Sequence, residues 1–150
     1  MIQKTTIIRY ISVNSLNNTE SFDHLIIGGS RGIGKSLVGQ SIQSGNKVTV
    51  LSRTAPEEEV SGCNWLIGDA SKPDDFLNQL PDKINALTFC PGKVILGPIK
   101  RLKPEQMLEA YQTSVLDAFT LIQALLPRLE GSIVFLSSVA AGTGLPSHCA

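Results

Sequence analysis

Short apolar runs alternate with amphipathic stretches along most of the chain. Leu25 to Ile27 reads as a buried strand, and a helix follows from Ile33 in which Leu37, Val38, Ser41 and Ile42 share one face. Gly45-Asn46 supplies its C-terminal stop. Lys47 to Leu51, β-branched and apolar, is a second strand. Ala55 to Val60 forms at most a short helical turn, and Asn64 to Ile67 is the third strand. Ser71 reads as an N-cap for a short helix over Asp74 to Leu80, with Asp74 and Asp75 at its positive end. Ile84 to Phe89 is the fourth strand. From Pro104 to about Leu129, Met107, Leu108, Tyr111, Val115, Ala118, Phe119, Ile122, Leu125 and Leu126 keep helical spacing in the longest helix. Pro127 kinks or ends it, and Gly131 to Leu136 is the fifth strand.

Residues 1–23 break this rhythm. Ile7, Ile8, Tyr10, Ile11 and Val13 suit a short strand, and the polar run that follows reads as linker. This segment is taken as an N-terminal extension of uncertain structure, and residues 24–150 as one domain. Strands alternating with helices predict an α/β fold, a doubly wound parallel sheet of about five strands in the order 3-2-1-4-5. In such a sheet, ligands gather at the C-terminal ends of the strands, at the switch between strands 1 and 4.

The sharpest chemistry lies at that switch. Gly28, Gly32 and Gly34 punctuate the passage from the first strand into its helix. Gly28 permits a sharp turn, Gly32 a close approach of backbone to a ligand, and Gly34 close packing of helix on sheet. A helix N-terminus offers unpaired N–H groups and a positive dipole end, which suits a phosphate. By itself this pattern fits a dinucleotide site or a plain glycine-rich turn about equally. Ser52-Arg53, Asp69-Ala70, Cys90-Pro91-Gly92 and Ser137-Ser138 fall at the same predicted edge, and that convergence favours the dinucleotide site.

Composition narrows the class further. The chain has 150 residues with 13 basic and 13 acidic side chains. No basic surplus exists to neutralise nucleic-acid phosphates or an anionic membrane. No apolar run approaches the ~20 residues of a membrane span, and no secretory signal pattern is evident. Cys63, Cys90 and Cys149 form no paired motif and read as reduced thiols, so a cytoplasmic location is expected.

These residues resemble the short-chain dehydrogenase/reductase family over roughly Leu25 to Ala150. Gly28-Gly29-Ser30-Arg31-Gly32-Ile33-Gly34 is similar to the family's T-G-x-x-x-G-x-G, with Ile27 in place of the threonine. Gly68-Asp69-Ala70 resembles the family's aspartate after strand 3. Ser132 to Gly142 resembles its strand 5 with the catalytic serine, here Ser138. The resemblance implies cofactor contacts from Gly28, Ser30, Arg31, Gly32, Ile33, Gly34, Ser52, Arg53, Asp69, Ala70, Pro91 and Gly92. It implies Asp69 hydrogen-bonding the adenine, and a homo-oligomer for a complete relative. An NAD-selective site has an acidic residue at the end of strand 2, where Ser52-Arg53-Thr54 offers none. Arg53 and Arg31 suit a 2′-phosphate, so NADP(H) is expected over NAD(H).

The sequence also departs from the family. Phe89-Cys90-Pro91-Gly92 stands for its N-N-A-G, and Ser114 for an asparagine implied to hold a relay water. The implied Tyr-x-x-x-Lys would begin immediately after Ala150, and the tyrosines present are Tyr10 and Tyr111. The chain therefore reads as a fragment, incomplete at the C-terminus, with little turnover of its own. A loop residue of no special role is the better reading of His148 than a substitute acid. Two functions remain open: the cofactor-binding part of an oxidoreductase acting on a small carbonyl or alcohol, and a non-catalytic dinucleotide-binding protein or inactive fragment.

Overall fold

A computed structural model describes residues 21–138 and 140–143. The strand expected before residue 14, and His148 and Cys149, lie outside the described residues. Five strands form one parallel sheet: β1 (Asp23–Ile27), β2 (Lys47–Ser52), β3 (Cys63–Ile67), β4 (Ile84–Phe89) and β5 (Leu129–Phe135). Their order is β3-β2-β1-β4-β5, as the alternation predicts. Register is regular from β1 to its neighbours, with Ile26 opposite both Val50 and Thr88. β4 and β5 slip between Ile84 and Ala86. At that irregularity a Cβ on Gly131 would lie 1.9 Å from the Asn85 carbonyl oxygen, so the close approach requires glycine.

Side chains on a strand alternate between faces, and the core divides accordingly. Ile26, Val48 and Val50 meet Val38 of helix α1 (Gly32–Gln43) on one face. Leu25, Ile27, Leu51, Leu87 and Phe89 meet Leu121 and Leu125 on the other. Burying both faces explains why these strands read as continuous apolar runs.

Three local expectations need correction. The helix expected over Asp74 to Leu80 is two 3-10 turns, Pro73–Asp75 and Leu77–Gln79. Ser71 does not cap it, because its hydroxyl donates to Asp69 instead, and Lys72 holds the N-cap position. The longest helix is α2 (Pro104–Tyr111), a π-helical turn (Gln112–Leu116) and α3 (Asp117–Leu125), with Pro127 in a closing 3-10 turn. Its apolar positions do not all face the core: Leu108 and Phe119 are 67% and 59% exposed, whereas Ala110, Ala118, Leu121 and Leu125 are buried. The segment 55–60 has no helical turn, within the expectation of at most a short one.

Candidate functional site

The C-terminal ends of the strands open onto a cavity of about 510 Å³, within the roughly 300–1,000 Å³ span of small-molecule sites. Its floor is the turn from β1 into α1. Gly28 turns at φ +82°, its N–H donates to the Leu51 carbonyl at 2.7 Å, and the Cys90 N–H donates to the Ile27 carbonyl at 3.0 Å. The turn is thus tied to β2 on one side and to β4 on the other. A Cβ on Gly34 would lie 2.2 Å from the Gly28 carbonyl oxygen, so helix and strand meet as only glycine allows. At Gly32, φ is +58° and nothing lies within 4 Å of where a Cβ would stand. Arg31 at the N-cap makes no side-chain capping bond, and the first turn of α1 carries no acidic residue. That helix start, with open space at Gly32, fits a phosphate group.

Gly28, Ser30, Arg31, Ile33 and Gly34 line the cavity from this turn. Ser52 and Arg53 join them from the end of β2, Asp69 and Ala70 from the end of β3, and Pro91 and Gly92 from the end of β4. Three expected residues are not among its lining: Gly32, Ser114 and Ser138. Gly32 has no side chain and starts α1 at the rim. Ser114 is exposed in the π-helical turn, where its hydroxyl accepts the Lys93 N–H at 3.4 Å. Ser138 is exposed and its hydroxyl accepts the Ala140 N–H at 3.2 Å, at the start of the short helix α4 (Ala140–Thr143). Ser52 lines the cavity, but its hydroxyl is engaged by Trp65 and by the Thr54 carbonyl.

Asp69 Oδ1 accepts the Ser71 N–H at 3.0 Å and the Ser71 hydroxyl at 2.9 Å. The Ser71 amide is the main cause holding this carboxyl below the usual range. Partial burial opposes it, while the Ser71 hydroxyl, Arg53 and Lys72 assist. Asp69 is therefore ionised at neutral pH, and its second oxygen can accept from a ligand amine. Burial pushes the Cys90 thiol up to about 11, so this cysteine packs as a protonated side chain and is no nucleophile.

Sequence reasoning missed Thr113 and Asp117, which line the cavity from the far side. Gln112 Nε2 donates to Asp117 Oδ1 at 2.7 Å. That spacing of five residues matches the wider π-helical turn, which a regular helical wheel does not represent. The available signal was that Asp117 is the single acidic residue between Ala110 and Leu129. Among the described residues, no cluster could hold a metal ion, and no helix is long and apolar enough to cross a membrane.

A family model described as short chain dehydrogenase matches residues 24–150. A tropinone reductase homolog of Arabidopsis thaliana is 31% identical over 145 residues, covering 82% of this chain and 54% of the relative. An L-fucose dehydrogenase of Rattus norvegicus is 26% identical, covering 80% of this chain and 50% of its own length. The chain thus spans about half the length of these curated relatives. A short chain dehydrogenase family protein of Francisella tularensis superposes with a TM-score of 0.75 at 23% identity, over 87% of this chain and 56% of that one. A short chain dehydrogenase of Leptospira borgpetersenii with bound NAD+ superposes at 0.61 with 22% identity, over 70% of this chain and 44% of that one. At those identities the structural likeness speaks for the fold alone. The family assignment rests on the match over residues 24–150: this chain belongs to the short-chain dehydrogenase family.

Proposed function

We propose that the cavity binds a nicotinamide dinucleotide, NADP(H) in preference to NAD(H), and that this chain is the cofactor-binding part of an oxidoreductase interconverting a small carbonyl compound and its alcohol. One observation carries the reading: the uncapped start of α1, which lines the cavity through Arg31, Ile33 and Gly34, shares it with Arg53 and Asp69. An anion cradle, a cation and a carboxylate in one cleft match the pyrophosphate, the 2′-phosphate and the adenine amino group. The N–H groups of Gly32, Ile33 and Gly34 hold the pyrophosphate. Arg53, with Arg31 beside the cradle, pairs with the 2′-phosphate, each charge-assisted bond contributing about 1.5–3 kcal/mol. Asp69 accepts from the adenine amino group. Backbone at Pro91 and Gly92 closes the cleft from the β4 side.

When bound, the nicotinamide supplies or accepts the hydride. Ser138 donates a hydrogen bond to the substrate carbonyl oxygen, and Ser114 holds a water behind it. Both hydroxyls lie outside the cavity lining. That placement, with Cys90-Pro91 in the position of the family's amides, also favours a second reading, a dinucleotide-binding protein without turnover.

Titration with NADPH and NADH separates these readings from a site with no nucleotide. The expected outcome is tighter binding of NADPH and a preference removed by Arg53→Asp. Equal affinity for the two cofactors, or an unchanged preference in Arg53→Asp, contradicts the assignment. Hydride transfer to a carbonyl panel then distinguishes the oxidoreductase from the non-catalytic binder.

A further inference from the structure

Trp65 lies on β3, half-buried against the core on the α1 face, and its indole Nε1–H donates to the Ser52 hydroxyl at 3.0 Å. Ser52 is the last residue of β2 and only 4% exposed. Its hydroxyl donates to the Thr54 carbonyl at 2.5 Å, and its own carbonyl accepts the Gly68 N–H at 3.0 Å. An indole is a donor only, and a serine hydroxyl has one proton to give. With the indole filling an acceptor site, that proton is directed to Thr54. The hydrogen bonds therefore run one way, from Trp65 through Ser52 to Thr54.

Arg53 stands between the two residues that this relay pins. Its side chain is exposed at the cavity and acts electrostatically on Asp69. The backbone on both sides of an exposed, charged side chain is thus held by a group packed behind the sheet edge. Packing alone does not account for the arrangement, since a phenylalanine would fill the same space without reaching Ser52. Fixing a recognition segment before the ligand arrives removes part of the ordering cost of binding, and the gain is largest for the contact which that segment makes.

We propose that Trp65 and Ser52 are positioning residues that hold residues 53–54 in the geometry in which Arg53 reads the 2′ position of the cofactor's adenosine ribose. This rests on the reading of the cavity as a dinucleotide site with a 2′-phosphate preference. The Trp65 indole and the Ser52 hydroxyl are engaged with each other and with Thr54, so they act through the backbone around Arg53. Contacts to the rest of the nucleotide come from the glycine turn and Asp69, which the relay does not hold.

The test measures calorimetric dissociation constants for adenosine 2′,5′-bisphosphate and for 5′-AMP, which differ only at the 2′ position. The proteins compared are the unmodified chain, Trp65→Phe, Ser52→Ala and the double variant. The unmodified chain is expected to favour the bisphosphate. Each single variant lowers that ratio by about threefold to tenfold, the scale of one lost hydrogen bond, while 5′-AMP affinity stays within about twofold. The double variant loses no more than the larger single loss, because both changes break one relay.

Ser52→Ala also keeps the reporter: Trp65 is the single tryptophan, and its emission is expected to shift when its acceptor is removed. Should Trp65→Phe lose its cooperative melt, Ser52→Ala carries the same comparison alone. An unmodified chain that discriminates, with variants that discriminate equally well, overturns the inference and leaves the cofactor reading intact. Equal loss of affinity for both nucleotides also overturns it, since that marks general loosening. An unmodified chain that binds both nucleotides alike overturns the 2′-phosphate reading, and this inference with it.

Discussion

His24 shows how one buried side chain couples the sheet to pH. It lies on β1, 8% exposed, with Nδ1 and Nε2 each 2.9 Å from a hydroxyl, of Ser41 and Thr88 respectively. A neutral imidazole offers one donor and one acceptor, and hydroxyls can answer both. An imidazolium there would place a charge beside the apolar face that α1 covers, and burial lowers the His24 pKa from 6.5 to about 4. Between those values the unfolded chain binds the extra proton and the folded chain does not. Stability contributed by the neutral ring is therefore complete above pH 6.5 and is lost as pH falls toward about 4. The loss amounts to about 3 kcal/mol. Urea unfolding at a series of pH values is expected to show that decline, and His24→Gln to flatten it over this window. A decline equally steep in His24→Gln contradicts the assignment. The sequence shows His24 only as a polar interruption before Leu25, because its partners lie 17 and 64 residues away. Gly28 and Gly34, by contrast, were legible, since their demand is local to one strand-to-helix turn.

At the scale of the element, the segment from Pro104 to Leu125 shows the limit of helical periodicity. Spacing finds apolar positions but cannot say which of two apolar faces meets the sheet. The π-helical turn at Gln112–Leu116 adds a residue to one turn, so the face of α2 does not continue in phase into α3. Leu121 is fully buried on α3, while Leu108 is 67% exposed on α2, although both satisfy an amphipathic pattern. Leu121→Ala is expected to cost about 2–5 kcal/mol. Leu108→Gln is expected to change stability by no more than about 0.5 kcal/mol. Chemical denaturation of the two variants checks this, and comparable losses would show that the observed burial does not govern stability here. The same turn brings Thr113 and Asp117 to the cavity, which is why the sequence did not reveal them. The 3-10 turns at Pro73–Asp75 and Leu77–Gln79 were misread for a related reason. Ser71 has the chemistry of an N-cap, but its hydroxyl is drawn to Asp69, a carboxylate two residues back.

Across the whole molecule, the alternation of strand and helix was enough to order the five strands and to say which edge carries the chemistry. Parallel strands need crossovers, crossovers place helices on both faces, and the reversal of strand order between β1 and β4 opens a cleft there. That Arg53, Asp69 and Gly92 line the cavity was legible from position, since each follows the end of a strand. What holds Arg53's segment did not, because Trp65 and Ser52 are neighbours only once β2 and β3 pair. Ser138 likewise matched by sequence position, yet its hydroxyl bonds the local backbone outside the cavity lining. The proposed function requires the start of α1 to cradle the cofactor's pyrophosphate. Backbone amide NMR of the chain titrated with NADPH reads that cradle directly. The expected result is saturable displacement concentrated at the amides of Gly32, Ile33 and Gly34, with smaller changes at Arg53 and Asp69. A folded chain whose amides at Gly32 to Gly34 stay unmoved at saturating NADPH would contradict the account.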